Sequence, residues 1–236
     1  MTRPSDEMPV HSCRLVHRTA DAEKLIAFCA RVSNPPNQNS DNIAGLLRFC
    51  ARQEHWSIFE MASMCVEVFT TRAISPQILR HGKGFSFQEF SQRYASIALL
   101  PDLLGEGDMP ELRRQDPKNR QNSIDDLDDQ KTSHFTWEMQ RHFNDAHQLY
   151  LRMLEAGIAK ECARNVLPLH TPTRLYMHGT LRSWATFLRT RLGNGTQLEH
   201  QLIARSAADI FEQEFPTIYE ALLSDHRLLD EQREES

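Results

Sequence analysis

The sequence predicts an α+β fold, a small central sheet surrounded by helices, on three observations. Apolar residues recur at helical spacing in many separate stretches, while only two stretches have the β-branched, alternating character of a core strand. No internal repeat is visible, so the elements belong to one arrangement rather than to an array. At 236 residues the chain can bury a sizeable core. It reads as a single domain spanning 1–236, with an insertion or long loop at 99–130.

Taken in order, Asp21 to Arg31 sets Ala22, Leu25, Ile26, Phe28 and Cys29 at helical spacing behind Asp21 as N-cap. Asn34-Pro35-Pro36-Asn37 ends that helix. Asp41 to Ala51 repeats the pattern through Ile43, Leu46, Leu47, Phe49 and Cys50, and a polar turn at Gln53-Glu54 follows. In His55 to Glu60, Trp56 and Phe59 can staple a helix start with Ser57 as its cap. Met61 to Thr71 is the first core strand, through Cys65, Val66, Val68 and Phe69, and Ala73 to Leu79 is a short helix delivering Gln77 and Arg80.

From Leu99 to Gln130 periodicity disappears, and Pro, Gly, Asp and Arg dominate. His134 to Ala156 restores it with Phe135, Met139, Phe143, Leu149, Leu151 and Leu154, and Gly157 is placed as a C-cap. Ala159 to Val166 is a short helix stopped before Leu167-Pro168. Thr171 to Gly179 is the second strand, Leu181 to Arg189 and Gln197 to Phe211 are helices, and Glu220 to Ser236 is a charged tail expected to fray.

Composition excludes several functions. A net charge of −5 offers no broad field for nucleic acid, so the cations must act locally. Five cysteines, at 13, 29, 50, 65 and 162, form no Cys-x-x-Cys pair and most read as small buried hydrophobes rather than a disulfide framework. Met1 to Val10 is polar and contains proline, unlike a signal peptide, and no apolar run is long enough to span a bilayer. A cytoplasmic protein with no membrane partner is expected. Asn194-Gly195-Thr196 then reads as a turn. His134, His142 and His147 do not share a helix face with a carboxylate between them, so no metal site is expected.

One stretch is denser in chemistry than any other. Gln77 to Tyr94 holds Arg80, His81, Lys83, Glu89, Ser91 and Arg93 among two glycines and three phenylalanines. Guanidinium forks bind phosphate or carboxylate bidentately and stack on flat rings, and glycine lets backbone approach a ligand closely. The residues therefore suit an anionic, aromatic ligand, although for an arbitrary sequence an Arg-rich surface turn followed by an amphipathic strand is the better account of them. Gly82-Lys83 lacks the upstream glycine and the following Ser or Thr of a P-loop, and no Gly-x-Gly-x-x-Gly follows a strand.

The stretch resembles the signature of flavin-dependent thymidylate synthases, in which Arg-His-Arg is followed after seven residues by Ser and, two further on, by Arg. Arg80-His81 opens it and Ser91-Gln92-Arg93-Tyr94 closes it. Gly82 replaces the second Arg and the interval is one residue longer; with Gly82 as the extra residue, Lys83 keeps a cation at that place. Upstream, His55-Trp56-Ser57-Ile58-Phe59-Glu60 resembles the family's His-x-x-x-Phe-Glu element. Downstream, Ala163-Arg164-Asn165-Val166-Leu167-Pro168 is similar to Ala-Arg-x-x-Leu-Pro, and Thr180 to Arg191 resembles the Asn-x-Arg-Ser helix that ends in a substrate-binding Arg. Thr180 and Thr186 stand where Asn is common, and of the usual Asp-x-His-Ala-Gln after Arg191 only Gln197 survives. The Pro-Cys nucleophile of the classical thymidylate synthases is absent.

The resemblance implies that family's α+β fold and its reaction: dTMP made from dUMP, with methylenetetrahydrofolate as one-carbon donor and FAD, reduced by NADPH, as hydride source. It implies flavin contacts by His55, Ser57, Arg80, His81, Gly82, Lys83, Glu89, Thr180, Arg182 and Thr186. Nucleotide contacts fall to Gln77, Arg80, Glu89, Phe90, Ser91, Gln92, Arg93, Arg164 and Arg191, with Arg191 also the catalytic cation beside the uracil ring. Family members are homotetramers with sites between subunits. Two other functions fit the same residues: a variant enzyme of this fold acting on another pyrimidine nucleotide or leaving a hydroxymethyl group, and a non-catalytic flavin- or nucleotide-binding oligomer.

Overall fold

The computed structural model describes residues 9–100, 109–193 and 195–223. The expectations for the N-terminal eight residues, for 101–108 of the long loop, for Asn194 and for 224–236 of the charged tail lie outside the described residues. The strands are β1 Ser12–Arg18, β2 Ser63–Thr71, β3 Phe85–Glu89, β4 Arg114–Gln115, β5 Ser123–Ile124 and β6 Pro172–Thr180. The helices are α1 Ala22–Ala30, α2 Ile43–Arg52, α3 Ser75–Leu79, α4 Asp129–Glu155, α5 Lys160–Ala163, α6 Leu181–Arg191 and α7 Leu198–Glu214, and residues 216–223 are also helical.

Four strands form one sheet in the order β1-β2-β6-β3. Leu181 N–H donates to the Ala62 carbonyl, and Arg72 N–H to that of Thr171, so β2 and β6 run antiparallel. Thr19 to Ser63 and His11 to Phe69 give β1 the same sense against β2. The fold class is therefore α+β, as expected.

The chain divides into two compact units built from alternating segments. One takes Ser12–Val68, Leu79–Gln88 and the described residues from Tyr176 onward. In it α7 packs on β1 and α6, while α1 packs on α2. Its core holds Ile26, Leu47, Phe59, Met64, Trp184, Phe187, Ile203 and Phe211. Trp184 is fully buried; its indole N–H donates to the Met64 carbonyl at 3.0 Å, and its ring meets Phe85 and Phe187 edge-on. Glu67 is buried in the middle of β2 among apolar neighbours. Arg14 of β1 and the Tyr176 hydroxyl of β6 both donate to its carboxylate from the flanking strands, which makes that burial tolerable.

The other unit takes Phe69–Ile78, Glu89–Leu175 and the described residues before Ser12. Phe69 and Leu100 form one small core with Val10 and Phe90. Ile97, Tyr150 and Ala163 form another, which α4 covers with Leu151 and Leu154.

Several boundaries differ from the sequence reading for identifiable reasons. Asp21 does stand at the N-cap of α1, but its backbone is left-handed (φ 46°) and its side chain caps nothing. Trp56–Glu60 is a single 3₁₀ turn, and Ser57 caps no helix. The 99–130 stretch is not wholly irregular: β4 and β5 pair as a hairpin, Arg114 opposite Ile124. Two such short strands leave no periodicity to read. Helix α4 starts at Asp129 because Asp128 caps it, accepting from the N–H groups of Gln130 and Lys131. Its end is the expected one, with Gly157 (φ 80°) just beyond it and Ile158 N–H returning to the Met153 carbonyl. The charged tail is ordered at its start, since Glu220 lies in the 216–223 helix. Cys13 and Cys50 are buried, Cys29 and Cys65 half-buried, and Cys162 is exposed. Burial pushes the Cys13 thiol up to about 12, so it stays protonated.

The indole of Trp184 gives the core a direct test. Trp184→Ala is expected to cost about 3–5 kcal/mol, and Trp184→Phe, which keeps a ring but loses the donor to Met64, clearly less. Urea unfolding of the three proteins measures both.

Candidate functional site

In the unit containing α6, residues from three separate parts of the chain line a cavity of about 420 Å³: Glu60, the 81–85 turn, and Thr180 to Phe187 at the start of α6. That volume is within the range of small-molecule sites. Thr180 caps α6, its hydroxyl accepting from Ser183 N–H at 3.2 Å, and Thr186 donates to the Arg182 carbonyl. Both threonine hydroxyls on this wall are thus engaged by the helix itself. Arg182 pairs with Glu60 across the cavity rim.

Behind the wall, Arg191 Nε donates to His81 Nε2 at 2.8 Å, which leaves His81 neutral with its proton on Nδ1. Burial and then the Arg191 charge hold the His81 pKa below its usual value. Arg191 is itself half-buried, and burial followed by the nearby Arg80 charge lowers its pKa. A cation in that position gains from an anion. His200 of α7 completes the group. It is fully buried, its ring centroid lies 6.4 Å from that of His81, and neither ring nitrogen has a partner among the described residues.

In the other unit a smaller cavity, about 220 Å³, is lined by Arg72, Glu89, Phe90, Ser91, Gln92 and Arg164. Gln92 Nε2 is buried without a partner among the described residues, a donor awaiting an acceptor. A third cavity, near Arg18, Glu23 and Glu214, contains none of the motif residues, and its Arg18 and Glu214 are already paired.

A family model described as "Thymidylate synthase complementing protein" matches residues 14–217. The chain is 52% identical over 200 residues, 85% of its length and 89% of the relative's, to a flavin-dependent thymidylate synthase of a Synechocystis strain. The chain belongs to the flavin-dependent thymidylate synthase family. It is also 48% identical over 202 residues, 85% of this chain and 90% of the relative, to a probable flavin-dependent thymidylate synthase of Paramecium bursaria Chlorella virus 1. Among solved structures it is similar to the UMP/dUMP methylase PolB from Streptomyces cacaoi bound with 5-Br dUMP. That likeness has a TM-score of 0.74 at 26% identity and covers 92% of this chain and 97% of the other.

Among the residues singled out from the flavin-dependent thymidylate synthase signature, the structure gathers His81, Lys83, Thr180, Arg182 and Thr186 at the larger cavity, and Glu89, Phe90, Ser91, Gln92 and Arg164 at the smaller. Lys83 is on the wall, while a Cβ on Gly82 would meet only the Leu79 carbonyl at 3.8 Å, an ordinary contact, so nothing in the packing demands glycine there. Arg80 is exposed, Gln77 is half-buried in α3, and His55 and Ser57 are exposed on the 3₁₀ turn outside the cavity lining. Arg93 pairs with Glu161 on the surface. Sequence reasoning missed Arg72 and His200. Arg72 follows directly on a strand, and His200 sits inside a helical pattern, so neither carried a local signal.

His200 predicts a pH effect. Burial first, then the charge of Arg191 and the nearby His81, lowers its pKa from 6.5 to about 3, so the unfolded chain binds this proton more readily than the folded one. Stability from this group is present above pH 6.5 and is lost as pH falls, by about 2 kcal/mol at pH 5. Urea unfolding at pH 7.5 and pH 5 should show a drop that shrinks by that amount in His200→Leu.

Proposed function

We propose that this chain is a cytoplasmic flavin-dependent thymidylate synthase that converts dUMP to dTMP, taking the one-carbon unit from methylenetetrahydrofolate. The reading is carried by the 52% identity over 85% of the chain to an enzyme of that name. When bound, FAD reduced by NADPH supplies the hydride that completes the methyl group. The residues fit such a dinucleotide: Lys83 and Arg182 line the larger cavity, and half-buried Arg191 lies near the charge of Arg80, an arrangement that bound anions relieve.

In this reading Arg80, His81, Gly82, Lys83, Thr180, Arg182 and Thr186, with His55, Ser57 and Glu89, hold the flavin. Arg93 and Arg164 take the nucleotide phosphate, while Gln77, Glu89, Phe90, Ser91 and Gln92 surround sugar and base. The orphaned Gln92 amide supports this, since a uracil carbonyl is the kind of acceptor it lacks. Arg191 stabilises negative charge as it spreads through the uracil ring and makes C5 nucleophilic, leaving the C5 proton to depart once the new carbon bond has formed. The exposure of His55, Ser57 and Arg93 fits a homotetramer in which another subunit completes each site. The interleaving of the two units along the chain supports reading 1–236 as one domain.

A second reading has its own observation, the likeness to a UMP/dUMP methylase. One experiment decides between them. Purified protein should carry a yellow chromophore released on denaturation and, given NADPH and methylenetetrahydrofolate, should form dTMP from dUMP; methylation of UMP at a comparable rate favours the second reading, and no product from either nucleotide sinks both.

Arg191→Lys keeps the charge and loses the planar fork. It is expected to bind FAD and to be reduced by NADPH as the parent is, while the single-turnover rate of dTMP formation falls by roughly two to three orders of magnitude. Rapid quench of reduced enzyme measures it, and an unchanged rate removes Arg191 from the chemistry.

A further inference from the structure

The smaller cavity contains a carboxylate held in an unusual way. Glu89, at the end of β3, accepts three hydrogen bonds on a single oxygen, Oε1: from Arg72 Nη1, from Ser75 Oγ at 2.7 Å and from Thr173 Oγ1 at 3.0 Å. Ser75 and Thr173 are fully buried. The backbones of all three donors are fixed: Arg72 N–H donates to the Thr171 carbonyl at 2.9 Å, Ser75 opens α3, and Thr173 lies in β6. Phe90 N–H, donating to the Arg174 carbonyl at 2.8 Å, fixes the chain just after Glu89. All of these residues belong to one unit.

A carboxylate oxygen has two lone pairs, so three donors saturate Oε1 and leave Oε2 to serve another partner. Burial alone does not require this arrangement, because donors shared between both oxygens would satisfy the group equally well. The cavity lining then carries Arg72, Arg164 and Glu89; pairing Arg72 with Glu89 leaves one net positive charge, at Arg164. Such a pocket fits a ligand with one anionic group for Arg164, an acceptor for the Gln92 amide and a hydroxyl or imide N–H for Glu89 Oε2.

We propose that Arg72 is a positioning residue which, with Ser75 and Thr173, clamps Glu89 by Oε1 so that Oε2 accepts a hydrogen bond from the sugar hydroxyl or imide N–H of the nucleotide. The inference rests on the proposed function for the identity of the ligand, and on geometry alone for the clamp. It gives the two hydroxyls and the guanidinium a joint purpose. Removing any one of them lets the carboxylate rotate.

The test uses holoenzyme and measures dissociation constants for dUMP and for uncharged deoxyuridine. Arg72→Ala should weaken both by the same factor, about tenfold or more, the scale of a charged hydrogen bond. Added guanidinium should restore most of the loss, as a purely structural defect would not allow, and Arg72→Lys should recover part. In a Glu89→Gln background, Arg72→Ala should cost less than about threefold further, because the group it orients has already changed. Loss for dUMP with deoxyuridine unaffected makes Arg72 a direct phosphate ligand and overturns the proposal, as does unchanged binding of both. If Arg72→Ala fails to fold, Ser75→Ala and Thr173→Val replace it, each expected to weaken dUMP and deoxyuridine by the same factor and neither to respond to guanidinium. Should the parent bind neither nucleoside nor nucleotide, the functional reading fails. The clamp is then judged from crystals of the parent and of Ser75→Ala: a Glu89 carboxylate turned away from Arg72 in the parent overturns it, and a carboxylate that rotates only in the variant sustains it.

Discussion

The larger cavity depends on how closely the 84–85 backbone approaches the end of β6 and the first turn of α6. A Cβ on Gly179 would come within 2.5 Å of the Phe85 ring and 2.9 Å of the Gly84 carbonyl, and one on Gly84 would come within 2.4 Å of Ser183 Oγ. Gly84 also has φ +88°, a conformation that side chains rarely tolerate. These contacts bring Phe85 onto Trp184 and Phe187, so the apolar packing that anchors the helix also holds the turn carrying His81 and Lys83. A larger residue at either glycine would push the cationic turn off the wall it helps to form.

The charges in this wall are not balanced locally. Arg182 has Glu60, but Arg191 faces a neutral imidazole and a second arginine, Arg80, and part of its hydration is lost to burial. A folded chain keeps such an arrangement at a cost in stability, and bound anions offset it. Neutral histidines are the compatible neighbours. His81 accepts from Arg191, and His200, buried with the same group, is held uncharged by the same burial and positive field.

Carboxylates withdrawn from solvent, Glu67 fully and Glu89 in part, follow the opposite logic. Glu67 and Glu89 both lie in strands, and each is satisfied by donors remote in sequence: Arg14 and Tyr176 for the first, Arg72, Ser75 and Thr173 for the second. Glu67 uses both oxygens and ties three adjacent strands together, a structural use. Glu89 concentrates its donors on one oxygen beside a cavity, which is the arrangement expected where a ligand takes the other.

The sequence by itself determined the fold class, both long strands, the principal helices and the two groups of motif residues, because these depend on periodicity and on residue types close together in the chain. The signature marked Lys83 as the cation standing in for the second Arg, and the structure puts it on the wall. Tertiary structure decided which motif side chains share a cavity: Glu60 faces the larger one while His55 and Ser57, on the same turn, do not. It also decided that Arg93 turns to Glu161 while Arg72 turns to Glu89, and that His200 is buried against His81. Each of these pairings spans 17 residues or more, and in each the energy of one side chain depends on a partner, and on a loss of water, that no local pattern encodes.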